Sequence, residues 1–215
     1  MILNFYTDTE RMVEVPWALT ILDSLRPEKL LDTGSVGAPY LNDIMARSED
    51  VTLLDARPIE NAPEGAHAWR GNVAEMPAAW KGRFDAVLSI SMLDHVGLDS
   101  YGLSANRSDI NAAPKELLRV LKDGGSLLLT VPFGKSWIGT HGNSGGQRVF
   151  SFKELQSLFP ETQWQWGVPV FWKLVKGRYA PATMEEVEDA DYAGHRAGAV
   201  VAVRLVKKGP DTEEK

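Results

Sequence analysis

Two acidic residues stand at the ends of short apolar runs near the start of the chain. Asp32 ends the run Lys29–Asp32 and is followed by a turn that contains Gly34, and Asp55 ends the run Val51–Asp55. A glycine turn lets a ligand approach the backbone, the following helix offers free N–H groups, and an acid at the tip of the second strand can accept ribose hydroxyls. This spacing is typical of a nucleotide-binding unit, although glycines after a strand are also common as ordinary turn residues.

Strand and helix patterns alternate over the first 132 residues. Helical periodicity predicts helices over Thr9–Leu25, Pro39–Ser48 and Asp109–Leu121, the last ended by the glycines of Lys122–Gly125. Apolar runs predict strands over Lys29–Asp32, Val51–Asp55, His67–Arg70, Phe84–Ser91 and Ser126–Val131. This alternation favours an α/β fold with a doubly wound, mostly parallel sheet.

The last third of the chain has a different pattern. Phe133–Phe150 is glycine-rich and predicts a long loop, of which Lys135–Gln147 should be mobile without substrate. Ser151 and Glu154 form the signature of a capping box, which predicts a short helix over Ser151–Phe159. Strands are expected over Trp164–Val175, with a break near Gly167, and over Ala199–Lys207, with a charged surface segment (Lys176–Arg196) between them. We expect a single domain over residues 1–208 and a disordered tail over 209–215.

The composition excludes several classes of protein. The chain has 215 residues, a net charge of −6 and no cysteine, which excludes disulfides and thiolate chemistry. The acidic balance argues against binding nucleic acid through phosphates. There is no apolar run long enough to span a membrane and no secretory signal, so we expect a cytoplasmic protein. The four histidines lack the spacing of a metal site.

Four stretches occur in the order found in one enzyme family: Leu31–Ser35, Leu54–Asp55, Phe84–Val96 and Leu117–Leu127. On these stretches the chain resembles the class I S-adenosylmethionine-dependent methyltransferases, over about Leu30–Phe159. It is similar within them to a methyltransferase-like group, some of which look tied to surface-polysaccharide assembly. That group shares the stretches Asp94–Gly102, Val131–Gly134 and Arg148–Phe150. The resemblance implies a Rossmann-like methyltransferase fold with an antiparallel C-terminal strand.

The resemblance also implies S-adenosylmethionine as the cofactor. Asp32, Gly34 and Ser35 would lie under its methionine part, and Asp55 would hold the ribose. Asn72 and Val73 would contact the adenine. Ser91 and Met92 would line the cofactor beside the transferred methyl group. The chain departs from the family in one place, because Val36 stands where a second glycine is usual and Gly37 is displaced by one residue.

Methyl transfer to a hydroxyl requires alignment and the removal of a proton. His95, oriented by Asp94, and His141 in the glycine-rich loop are the candidate bases. Arg148 and Tyr101 are candidate contacts to the substrate. Three of these residues also have a structural interpretation: His95 packed at the start of a helix, His141 as a solvated loop residue and Arg148 at the surface.

Three functions remain open from the sequence. The first is methyl transfer to a small-molecule or sugar hydroxyl. The second is a methyltransferase-like protein that has lost catalysis and serves in binding or assembly, which the substitution at Val36 would allow. The third is a nicotinamide-dependent oxidoreductase, which is disfavoured because Gly-x-Gly-x-x-Gly is absent.

Overall fold

The computed structural model describes residues 9–34, 40–60, 62–100, 104–140, 145–193 and 196–210. It contains five α-helices within these residues: α1 (Arg11–Leu25), α2 (Leu41–Met45), α3 (Asp109–Val120), α4 (Phe152–Leu158) and α5 (Met184–Val187). The strands of the first half are β1 (Lys29–Thr33), β2 (Asp50–Asp55), β3 (Ala66–Arg70), β4 (Phe84–Ile90) and β5 (Leu121–Pro132). Those of the second half are β6 (Trp137–Thr140), β7 (Gly146–Val149), β8 (Trp164–Trp166), β9 (Val170–Val175), β10 (Arg178–Ala182), β11 (Tyr192–Ala193), β12 (Arg196–Ala197) and β13 (Ala199–Lys207).

The main sheet has the strand order β10-β9-β13-β5-β4-β1-β2-β3, with β8 also paired to β13. Strands β3, β2, β1, β4 and β5 run parallel, and β13 pairs antiparallel with β5, placing Val203 opposite Leu129. This arrangement confirms the predicted α/β fold with a mostly parallel sheet and an antiparallel C-terminal strand. The chain order reverses at β1, whose neighbours are β2 on one side and β4 on the other. Ligands of such sheets bind outside the carboxyl ends of the strands at this reversal.

Both faces of the central strands are buried, as their nearly continuous apolar sequences require. Leu30 of β1 packs in the core formed with α1 and α2, whereas Leu31 packs in the core on the opposite face, formed with α3 and α4. Successive side chains of a strand point to opposite faces, so a single apolar run supplies both cores. Packing on both faces fixes the positions of these strands and of their carboxyl ends.

The segment Phe133–Phe150, predicted as a long loop, contains a β-hairpin. Strands β6 and β7 pair antiparallel, with Ile138 opposite Arg148. A Cβ atom on Gly146 would lie 2.7 Å from Cβ of Leu98, so the glycine permits close packing of the hairpin on the preceding loop. The prediction missed the hairpin because Gly146 serves this close approach, which the sequence alone does not show. The mobility of Lys135–Gln147 without substrate stays a prediction.

One further prediction needs correction. Helix α3 ends at Val120 and the chain is already extended at Leu121, so Lys122–Gly125 form an irregularity inside β5 and do not end the helix. The segment Lys176–Arg196 lies mostly at the surface, as predicted, and includes β10, α5 and β11. The capping box of α4 is present, with both its Ser151 and Glu154 bonds. The part of the tail over 211–215 lies outside the described residues.

Within the described residues, the structure has no helix of the length and apolarity that crossing a membrane demands.

Candidate functional site

A cavity of about 350 Å³ opens at the carboxyl ends of β1, β2 and β4, where the strand order reverses. This volume lies in the usual range of small-molecule sites, which is roughly 300–1,000 Å³. The following residues line it: Arg11, Thr33, Gly34, Leu54, Asp55, Ala56, Arg57, Asn72, Val73, Ser91, Met92, His95, Val96, Gly97, Leu98, Ser100, Ser104, Asn106 and Asp109.

Gly34 begins the turn after β1 in a conformation that favours glycine. Its φ is +86°, its N–H donates to the carbonyl of Leu54 at 2.9 Å, and an added Cβ would lie 2.6 Å from Cγ of Met92. A side chain here would be strained by the backbone angle and would also collide with Met92. The glycine therefore brings the ends of β1 and β2 and the residue Met92 together on one wall of the cavity.

Asp55 ends β2 with its side chain only 5% exposed. Its Oδ1 accepts from the backbone N–H of Arg57 at 2.8 Å and from Nε of Arg57 at 2.9 Å, and its Oδ2 accepts from Nη2 of Arg57 at 2.6 Å. The guanidinium fork thus grips the carboxylate through both oxygens, the geometry in which arginine and carboxylate match. We call this contact the Asp55–Arg57 pair.

A polar cluster closes the side of the cavity next to β3. Asp109, in the first turn of α3, accepts from the side-chain amide of Asn72 at 2.8 Å and from that of Asn106 at 2.6 Å. The carbonyl oxygen of the Asn72 side chain accepts from the N–H of Ala74 at 2.9 Å. Asn72 is therefore fixed in orientation beside Val73.

The first turn of α1 contacts the end of β4. Glu14 is fully buried, and its carboxylate accepts from Nη1 of Arg11 and, at 2.6 Å, from Oγ of Ser91. Ser91 has a φ of +38°, which is rare for a residue other than glycine and marks the sharp turn after β4. Burial, and next the carboxylate of Glu14, raise the pKa of the neighbouring Glu10 carboxyl.

His95 lies on the cavity wall with both ring nitrogens next to acceptors. Its Nδ1 is 2.9 Å from the carbonyl oxygen of Gly146, and its Nε2 is 3.4 Å from Oδ2 of Asp94. A carbonyl oxygen only accepts, so Nδ1 donates to Gly146, while Nε2 faces a carboxylate oxygen of Asp94. The ring is 12% exposed. These contacts suit a ring that joins the hairpin to the cavity wall more than one that presents a free lone pair to a substrate.

The structure brings together seven of the predicted site residues around the cavity: Gly34, Asp55, Asn72, Val73, Ser91, Met92 and His95. Three others are buried but are not among the lining residues: Asp32, Asp94 and Arg148. The remaining three, Ser35, Tyr101 and His141, lie outside the described residues, as does Val36.

Arg148 was predicted either as a clamp for substrate or as a surface loop residue, and the structure buries it. It lies on β7 at 6% exposure, where Nη1 donates to the carbonyl of Val96 at 3.2 Å and the guanidinium stacks over the ring of Phe150. Burial lowers its pKa. The side chain supports the cavity wall from behind.

The sequence analysis missed five residues of this region: Arg11, Glu14, Arg57, Asn106 and Asp109. Arg57 could have been noticed, because a guanidinium two residues after a strand-end acid can fold back on it. Arg11 and Glu14 carry no local signal, since Glu14 and Ser91 are 77 residues apart in sequence.

Comparison with known proteins agrees with this geometry. The family described as "Methyltransferase domain" matches residues 31–129. No curated protein sequence matches the chain significantly.

Several solved structures share the fold. One is the 1,6-didemethyltoxoflavin-N1-methyltransferase of Burkholderia thailandensis, with bound 1,6-didemethyltoxoflavin and S-adenosylhomocysteine; it is 16% identical over 92% of this chain and 79% of its own, with a TM-score of 0.64. A second is the N-methyltransferase NodS of Bradyrhizobium japonicum in complex with S-adenosylhomocysteine, 11% identical over 94% and 90%, with a TM-score of 0.59. A third is the YcgJ protein of Bacillus subtilis, 12% identical over 92% and 99%, with a TM-score of 0.62.

The domain match covers β1 to β5, which are the strands that build the cavity. The solved structures show that the chain shares their fold over about nine-tenths of its length. Residues 31–129 are therefore similar to the family described as "Methyltransferase domain", within a chain that has the fold of solved methyltransferases.

Proposed function

We propose that the cavity binds S-adenosylmethionine and that the protein transfers the methyl group to a small-molecule or sugar acceptor. The observation that carries this proposal is the position of Asp55, a nearly buried carboxylate at the end of β2, on the wall of a cavity at the sheet's reversal point. A carboxylate there can accept both hydroxyls of a ribose. The solved methyltransferases with bound S-adenosylhomocysteine support the choice of cofactor.

The residues present fit such a ligand from end to end. Asp55 would hold the ribose, and Asn72 with Val73 would meet the adenine. Gly34 places the backbone at the end of β1 on the cavity wall, next to Met92. Arg11 contributes a guanidinium at the side of the cavity next to Ser91, where it can face the carboxylate of the methionine part. The bound cofactor supplies an electrophilic methyl group, and the protein supplies alignment of the acceptor with it.

A hydroxyl is the acceptor group that we propose from the sequence, and it needs a base. His95 can serve only if its ring leaves Gly146 or Asp94, because both ring nitrogens face acceptors in the structure. His141, the other candidate, lies outside the described residues.

An amine acceptor is the second candidate, and the contacts of His95 favour it. A neutral amine attacks with its own lone pair and requires no base at the moment of transfer. Replacing His95 by Gln separates the two cases. With a hydroxyl acceptor, turnover should fall by about 10²–10⁴-fold while cofactor binding survives. With an amine acceptor, turnover should change by less than about tenfold.

Thermal unfolding with three ligands tests the proposed cofactor. S-adenosylmethionine and S-adenosylhomocysteine at about 100 times their dissociation constants should raise the unfolding midpoint by roughly 5–10 °C. NAD should leave the midpoint unchanged. A shift with NAD and none with the other two ligands would overturn the proposal in favour of an oxidoreductase.

We also propose, from the sequence alone, that residues 1–208 act as one domain and that the protein works in the cytoplasm. Because the chain has no cysteine, nothing in its composition requires an oxidising compartment.

A further inference from the structure

The proposed ribose site is already occupied by a side chain of the protein itself. Both carboxylate oxygens of Asp55 accept hydrogen bonds from Arg57, and both residues line the cavity. This inference rests on the proposed function, since it concerns how the same site takes its cofactor.

Counting acceptor positions shows why the two partners compete. A carboxylate offers about four lone-pair positions, two on each oxygen. Oδ1 of Asp55 accepts two bonds, from the backbone N–H and from Nε of Arg57, and Oδ2 accepts one, from Nη2. A ribose diol bound through both oxygens needs one position on each. While the guanidinium is in place, only Oδ2 has a lone-pair position left to accept a ribose hydroxyl.

The guanidinium, and not the backbone, is the group that can leave. The N–H of Arg57 comes from the residue next but one to Asp55 and is fixed by the turn after β2. The side chain of Arg57 is 38% exposed, so its charged end can turn into water without a large desolvation cost. Once it leaves, Oδ1 keeps the backbone bond and accepts one ribose hydroxyl, and Oδ2 accepts the other.

We propose that Arg57 is a specificity-determining residue that competes with the cofactor's ribose for Asp55 and thereby weakens cofactor binding. The Asp55–Arg57 pair fixes the orientation of the Asp55 carboxylate. A ligand gains the carboxylate only by supplying both hydroxyls in exchange for the guanidinium. Ligands that lack the diol cannot make this exchange and leave the Asp55–Arg57 pair intact.

Calorimetry on Arg57→Ala tests this directly. The probe is S-adenosylhomocysteine, whose net charge is zero, so that loss of a positive charge has little long-range effect on its binding. We expect the variant to bind it about two- to fivefold more tightly than the wild type, the range for release from a partly exposed ion pair. The 2′,3′-dideoxy analogue of the same ligand should bind both proteins equally.

Two controls guard the result. Arg57→Met keeps a long side chain but has no hydrogen-bond donor. It should bind S-adenosylhomocysteine as tightly as Arg57→Ala does, which would show that the effect does not come from a turn disturbed by the small alanine side chain. Arg47→Ala removes an arginine that pairs with Asp23 away from the cavity, and it should leave the affinity unchanged. Raising the salt concentration should tighten the binding of S-adenosylhomocysteine to the wild type, because the pair is screened, but should not do so in Arg57→Ala.

Unchanged or weaker binding in both Arg57 variants would overturn the inference and leave the proposed cofactor standing. Binding by Arg57→Ala alone, with none by the wild type, would support the competition in its strongest form. If neither protein binds S-adenosylhomocysteine, the proposed function itself fails and the inference with it.

Discussion

The two ends of the cavity are built in opposite ways. At the ribose end, Asp55 and Arg57 are two residues apart and meet through a single turn after β2. At the other end, Arg11 and Glu14 of α1 meet Ser91 after β4, and His95 meets Gly146 of the hairpin, across 77 and 51 residues of sequence. The first end is built from residues close together in sequence at the end of one strand. The second depends on elements distant in sequence, so damage there should affect folding as well as binding.

The comparison predicts its largest effect for Glu14→Ala. Glu14 is fully buried, and its removal leaves Arg11 without its carboxylate and Ser91 Oγ without its acceptor. Because Arg11 keeps some access to water, we expect the free energy of unfolding to fall by about 2–4 kcal/mol, somewhat less than for a fully buried pair. Urea unfolding measures this loss. Asp23→Ala, which breaks only exposed pairs with Arg26 and Arg47, should cost less than about 1 kcal/mol and serves as the control. Equal losses in the two variants would contradict the distinction.

For Asp55→Ala we expect the reverse of Glu14→Ala, with a large loss of ligand binding and a small loss of stability. It removes the ribose contact and an ion pair whose arginine side chain is 38% exposed, so stability should change by less than about 1 kcal/mol. Binding of S-adenosylhomocysteine should weaken by at least about tenfold, since each charge-assisted bond contributes roughly 1.5–3 kcal/mol. Calorimetry on the folded variant decides the matter. Unchanged affinity would remove Asp55 from the site.

Gly34→Ala should affect the junction between the two ends. The substitution puts a side chain at φ +86° and brings Cβ to 2.6 Å from Met92. Gly82→Ala is the matched control, because Gly82 has φ +61° and an added Cβ there meets nothing within 4 Å. Both should lose about 1 kcal/mol for the backbone angle, and Gly34→Ala about 1 kcal/mol more for the contact. Equal unfolding midpoints for the two variants would show that Met92 moves aside at no cost.

The smallest effect concerns pH and Glu10. Its pKa is raised in the folded protein, chiefly by burial and then by Glu14. A carboxyl with a raised folded pKa contributes its stability below its unfolded pKa of about 4.5, and this contribution is lost as pH rises through the folded value. Glu10→Gln should therefore be slightly more stable than the wild type at pH 7 and should have no such advantage at pH 4. A stability difference independent of pH would exclude Glu10 as the source.

The family resemblance and the strand-end acids could be read from the sequence because they depend on local order. An apolar run followed by Asp55, or by Gly34 after Asp32, carries its own signal, and the parallel sheet brings such strand ends to one edge. The capping box of α4 was predictable for the same reason, as its two residues are three apart.

The hairpin, the burial of Arg148 and the contacts of His95 could not be read in this way. Whether Gly146 is flexible or closely packed depends on Leu98, and whether His95 can accept a proton depends on the carbonyl of Gly146. These are properties of pairs of segments that the chain order does not bring together.

The sequence by itself determined the mostly parallel, doubly wound sheet and the carboxylate at the end of β2, because periodicity and strand-end residues act within a few positions. Only the tertiary structure decided which arginine side chains reach the cavity and which of its polar groups already have hydrogen-bond partners. Arg11 is oriented by a buried carboxylate one turn away and by the end of β4, and Asp55 by a guanidinium that occupies both its oxygens. Hydrogen bonds form between groups that are close in space, and the order of residues in the sequence does not show which groups those are.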